Sequence, residues 1–120
     1  MSVEIGEILL IENNEIYPPK KKFSVCVCIS PNYFFLINSE NRAFYKCTPI
    51  RQSEHPFLSH DSFISCVRPF LYSEEQIANA KRKGSLSFKE LRVLLDFIEQ
   101  NASFAEKETV IAAIKEYLNT

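Results

Sequence analysis

The chain is predicted to fold as an α+β domain, a small antiparallel β-barrel followed by three C-terminal helices, and three observations carry that expectation. Phe23 to Asn38 (FSVCVCISPNYFFLIN) consists of two apolar runs around Ser30-Pro31-Asn32, where Pro sets φ and Asn tolerates left-handed geometry, so the stretch reads as a β-hairpin. Up to about residue 72 the short β-rich runs follow one another with no helical period between them, as in a meander closed on itself. Beyond that point Ser73-Glu74-Glu75-Gln76, Ser87-Phe88-Lys89-Glu90 and Ser103-Phe104-Ala105-Glu106 are three capping boxes, each a helix start. At 120 residues this is one domain, with 1–72 as barrel and 73–120 as a helical part packed on it.

Val3 to Ile11 is expected as a first strand through Ile5 and the Ile8-Leu9-Leu10-Ile11 run. Glu12 to Lys22, with Pro18-Pro19 and then Lys20-Lys21-Lys22, reads as a loop of about a dozen residues. In the first hairpin arm Val25, Val27 and Ile29 alternate with Ser24, Cys26, Cys28 and Ser30. The second arm, Tyr33 to Ile37, is apolar throughout, as in a strand covered on both faces. Arg42 to Cys47 returns as a strand after a turn at Ser39-Glu40-Asn41, and Thr48 to Asp61 is a polar, Pro-containing segment. Ser62 to Val67 is a further strand, stopped by Pro69. The first helix is expected to run from its box to a stop at Gly84. Tyr72 and Ile77 stand at the staple positions of the first box, Leu86 and Leu91 at those of the second. Leu91, Leu94, Leu95 and Ile98 share one face of the second helix; Val110, Ile111, Ile114, Tyr117 and Leu118 share one face of the third. That last face docks on the barrel or serves as a dimer contact.

Ten Phe and five Tyr with no Trp predict a ring-rich core. Only two Gly, and neither GxGxxG nor a Walker pattern, weigh against nucleotide-binding enzymes of those classes. A formal net charge of -1 means that any anionic partner must use a local patch. The acidic N-terminus and its short apolar run fit neither a signal peptide nor a membrane span, so a soluble cytoplasmic protein with reduced cysteines is expected, without a membrane partner.

Lys20-Lys21-Lys22 reads either as a phosphate-steering edge of an RNA groove or as a solvated loop. Tyr17 is the aromatic residue most free to stack on a base. His55 and His60 titrate near neutrality and lie in a polar loop where surface histidines are common; His60 beside Asp61 is the better acid or base. Cys26, Cys28, Cys47 and Cys66 are read as buried structural thiols, since their spacing does not suit zinc and no helix N-terminus activates them. No metal or other cofactor is implied.

The order of these parts resembles the PemK/MazF-type toxins of bacterial toxin–antitoxin systems. The resemblance lies in Gly6-Glu7-Ile8-Leu9-Leu10 and a basic loop, then Lys22-Phe23-Ser24-Val25-Cys26-Val27. Phe34-Phe35-Leu36-Ile37-Asn38-Ser39, Phe57 to Cys66 and Gly84-Ser85-Leu86-Ser87 extend it over residues 5 to 100. It implies an SH3-like barrel with C-terminal helices, often a homodimer, cleaving single-stranded RNA without metal through attack by the 2′-hydroxyl. It also implies a cognate antitoxin whose disordered segment folds over the groove. The family's Arg before the β-branched strand falls on Lys22, and its hydroxyl residue after the next strand on Ser39, with Asn38 the lesser candidate. Lys22 is then the phosphate contact and Ser39 its positioning partner, with Arg42 and Arg68 as candidates for the family's catalytic arginine. The Arg-Pro pair itself is absent, Lys22-Phe23 standing in its place, and an ammonium supplies a point charge where guanidinium supplies a planar fork. A non-catalytic interaction module, binding a protein or RNA in the same groove, is the competing reading.

Overall fold

In a computed structural model that describes residues 2–40 and 46–119, the chain is α+β, a curled antiparallel half-barrel sheet with three helices in its C-terminal part. The strands are β1 (Glu7–Asn13), β2 (Lys20–Cys28), β3 (Tyr33–Asn38), β4 (Cys47–Ile50), β5 (Ser62–Ser65), β6 (Phe70–Leu71) and β7 (Lys81–Ser85). The helices are α1 (Glu74–Ala78), α2 (Phe88–Asn101) and α3 (Lys107–Leu118). The order across the sheet is β4-β5-β3-β2-β1-β7, with β6 also on β3.

The hairpin expected at the centre is there, β2 and β3 pairing from Ser24 opposite Leu36 to Cys28 opposite Tyr33. β2 lies inside the sheet between β1 and β3, and Val25, Cys26, Val27 and Cys28 are all buried, with an irregularity in the pairing between Cys26 and Cys28. The other edge of β3 is shared: Ile37 and Asn38 pair with β5, while Tyr33 and Phe34 pair with β6. Pro69, which has no N–H to donate, lies in the break between those two pairings. Phe34 and Phe35 are fully buried, each worth about 2 kcal/mol of transfer free energy. Phe34 meets the ring of Tyr72 at 5.2 Å, and Phe35 that of Phe104 at 5.6 Å, both edge-on.

Several boundaries differ from expectation. The first strand begins at Glu7, not Val3, and continues to Asn13. The three lysines are strand, not loop: Lys20, Lys21 and Lys22 pair with Asn13, Glu12 and Ile11. Pairing with β1 supplies backbone hydrogen bonds that outweigh the poor strand preference of lysine. The first capping box forms, with Ser73 and Gln76 bonding reciprocally, but its helix ends at Ala78 and not at Gly84. Lys81–Ser85 instead lies along β1 as β7, because β1 would otherwise be an open edge. The second box forms as expected and buries Leu91, Leu94, Leu95 and Ile98. The third does not: α3 starts after Glu106, with no side-chain cap. Val110, Ile111 and Ile114 are buried, Tyr117 and Leu118 partly so. The fourth strand is Cys47–Ile50, and residues 42–45 of the expected strand lie outside the described residues.

Gly6 joins sheet to helices. Its φ of +87° favours glycine, its carbonyl accepts from Leu86 N at 2.9 Å, and a Cβ there would stand 3.1 Å from Leu91 Cδ1. Among the described residues no helix is long and apolar enough to cross a membrane.

Candidate functional site

The start of β2, the end of β3 and the segment before β6 enclose an open cleft of about 810 Å³. Strand periodicity decides which lysines reach it. Successive side chains of β2 point to opposite faces, so Lys20 and Lys22 line the cleft and Lys21 does not. Tyr17 (96% exposed) stands at the rim, and Asn38, Ser39, Glu40, Arg68 and Phe70 complete the walls over Ile16, Leu36 and Val67. The structure therefore brings together Tyr17, Lys20, Lys22, Ser39 and Arg68. Arg42 lies outside the described residues.

Lys22 and Asn38 face each other across the strands, Lys22 Nζ donating to Asn38 Oδ1 at 3.0 Å. Among the described residues the other two ammonium donors of Lys22 are unspent. Burial holds the Lys22 ammonium below its ordinary pKa, and the charge of Lys20 lowers it further. Ser39, exposed, follows Asn38 at the cleft edge. Arg68 is fixed by two contacts: Nη2 donates to Glu15 Oε1 at 2.7 Å, and the guanidinium carbon sits 3.9 Å from the Phe70 ring centroid. Beneath the cleft Tyr72 Oη accepts from Asn13 Nδ2 and shares a hydrogen bond with Ser24 Oγ, both at 3.1 Å. Burial raises the Tyr72 pKa, so it remains a neutral phenol that ties β1, β2 and the β6–α1 junction together.

His60 is not among the residues lining the cleft. Its Nδ1 lies 3.4 Å from Ser62 Oγ, and Asp61 does not orient it: Asp61 Oδ1 accepts from Gln52 N at 2.8 Å and closes the 52–61 loop. His55, expected at the surface, is 5% exposed. Its Nε2 donates to Glu90 Oε2 at 2.8 Å, while Glu90 Oε1 accepts from Ser87 N in the α2 capping box. The histidine thus anchors the 51–61 segment to the start of α2.

Cys26, Cys28 and Cys66 are buried and Cys47 is half-buried. Burial pushes the thiols of Cys26 and Cys66 up to about 12, which makes them poor nucleophiles. Among the described residues no group of three or more His, Cys, Asp or Glu is placed to hold a metal ion.

Sequence reasoning missed Glu15 and Phe70. Glu15 sits in a turn set by its own N–H on Asn13 Oδ1 at 2.8 Å, an Asx pattern visible as Asn13-Asn14-Glu15. Phe70 enters the cleft because β6 pairs with β3, which no local pattern signals. Comparison with protein-family models, curated proteins and solved structures finds no match in any of the three.

Proposed function

We propose that this cleft binds single-stranded RNA and cleaves it without metal, in an SH3-like half-barrel of the PemK/MazF toxin type. The observation that carries the reading is the convergence of Tyr17, Lys20, Lys22, Ser39 and Arg68 on one open cleft. Lys20 and Lys22 meet successive phosphates, with Tyr17 free to stack on a base. The chemistry asks for a group that takes the 2′-hydroxyl proton, one that protonates the leaving 5′-oxygen, and positive charge against the phosphorane. Lys22, an ammonium with unspent donors, supplies the positive charge against the phosphorane and the proton for the leaving 5′-oxygen; Ser39 positions the phosphate, and the 2′-hydroxyl proton passes to solvent water in the open cleft. An antitoxin segment would occupy the same cleft, and the exposed face of α3 would serve a homodimer.

A long single-stranded RNA incubated with the protein in EDTA tests this. New ends carrying 2′,3′-cyclic phosphate at reproducible sites, lost in Lys22→Ala, are the expected result. The position of His60 outside the cleft and the neutralisation of Arg68 by Glu15 favour a second reading, in which the cleft binds RNA without cutting it. Intact RNA that is nevertheless retained by the protein would establish that reading, and RNA neither cut nor bound would overturn both.

A further inference from the structure

We propose that Arg68, laid on Phe70, is a stacking platform for an unpaired nucleobase, acting through its guanidinium plane and not through its charge. The inference rests on the RNA reading of the cleft and assigns a base site within it.

Arg68 differs from the other two cations of the cleft. Among the described residues no carboxylate pairs with Lys20 or Lys22, so their charge is available to phosphate. Arg68 already has a carboxylate, Glu15, at 2.7 Å, whose charge opposes its attraction for a second anion. One face of its guanidinium is covered by the Phe70 ring at 3.9 Å. The side chain is nonetheless 50% exposed and lines the cleft, so half of its surface is left for a ligand there. Two contacts hold the guanidinium, Glu15 at Nη2 and the Phe70 ring at its carbon, which lowers the entropy it loses on stacking. Guanidinium planes and aromatic rings are the surfaces on which splayed bases of single-stranded RNA stack. The cleft then has a phosphate pole at Lys20 and Lys22 and a base pole at Arg68 and Phe70.

The test compares the full chain's affinity for a short oligoadenylate with that for an abasic ribose-phosphate strand of equal length, in the wild type, in Arg68→Lys and in an Arg68→Ala/Glu15→Gln double variant. The wild type is expected to prefer the strand that carries bases by about tenfold, the range of one base–side chain stack. Arg68→Lys keeps the charge and loses the plane, so it should erase that preference while leaving affinity for the abasic strand unchanged. The Arg68→Ala/Glu15→Gln double variant, which removes both charges of the pair together, should do the same without altering the salt dependence of either strand. A preference that survives Arg68→Lys would place the stacking elsewhere, on Tyr17, and overturn the platform. So would a double variant that weakens both strands alike and flattens the logarithmic salt slope by about 0.7, the mark of a lost phosphate contact. Equal wild-type affinity for the two strands overturns the platform and leaves RNA binding standing; binding of neither strand overturns the RNA reading and the platform with it.

Discussion

The cleft around Lys22 and the junction around His55 each place a basic side chain against one polar partner, and they differ in what is left over. Lys22 is half-buried on a neutral carboxamide, with donors to spare and open space in front. His55 is buried on a carboxylate whose second oxygen already caps α2. A basic group that has spent its bonding capacity inside the fold contributes to stability; one that keeps capacity at a concave surface is available to a ligand. By that contrast His55 belongs to the scaffold and Lys22 to the site.

The largest effect that would sharpen the contrast is on stability. Glu90→Ala removes the α2 capping box and strands His55 together, and a loss of about 3 kcal/mol in denaturant unfolding is expected. His55→Ala should cost about 2 kcal/mol. Neither should change RNA affinity once the folded fraction is allowed for; a folded His55→Ala protein with impaired RNA binding would break the comparison. Lys22→Ala should show the reverse, unfolding within about 0.5 kcal/mol of wild type and RNA affinity down about tenfold.

The pH dependence of binding follows from the depressed Lys22 pKa. Below its lowered folded value Lys22 is charged in both the folded and unfolded states. Between that value and the ordinary 10.5 the unfolded chain holds more protons, so folding stability rises with pH across this window. On the proposed reading phosphate binding needs the ammonium, so affinity should fall through the same window, at a lower pH than for an ordinary lysine. Lys20→Gln removes one cause of the depression and should move the fall in affinity to higher pH, read from binding titrations at fixed ionic strength. An unmoved midpoint would mean that another group controls binding.

The smallest expected effect is on thiol chemistry. In the native protein Cys47 should be alkylated first, Cys26 and Cys66 last, their thiols held up to about 12 by burial; in denaturant all four should react alike. Mass spectrometry of iodoacetamide-treated protein resolves the order. Early modification of Cys26 would show that the sheet opens at β2.

Much of the architecture was legible because it is local. The Ser30-Pro31-Asn32 reversal, the apolar β3 run and the boxes at Ser73 and Ser87 act through bonds between near neighbours, which the order of residues alone specifies. The box at Ser103 was misleading because Ser103 Oγ accepts from Lys46 and Phe104 packs on Phe35, leaving α3 to start after Glu106, and Lys81–Ser85 was read as helix because its strand state depends on the edge of β1. The candidate site divides in the same way. Lys22 and Ser39 were reached through resemblance to a motif, Tyr17 and Lys20 through composition of a basic segment, while His55, expected at the surface, is buried, and His60, exposed as expected, stands outside the cleft.

By itself the sequence determined the α+β class, the central hairpin, the faces of α2 and α3, and a set of basic and aromatic candidates for a site. Tertiary structure alone decided which of them share a cleft. Lys20 and Lys22 enter it and Lys21 leaves it because β2 pairs with β1 and alternates. Arg68 gains Glu15 and Phe70 because β6 returns along β3, and His55 loses the solvent because the 51–61 segment folds onto α2. Those placements depend on pairings between distant segments, whose stability comes from burying both partners at once, and no single stretch of chain encodes that.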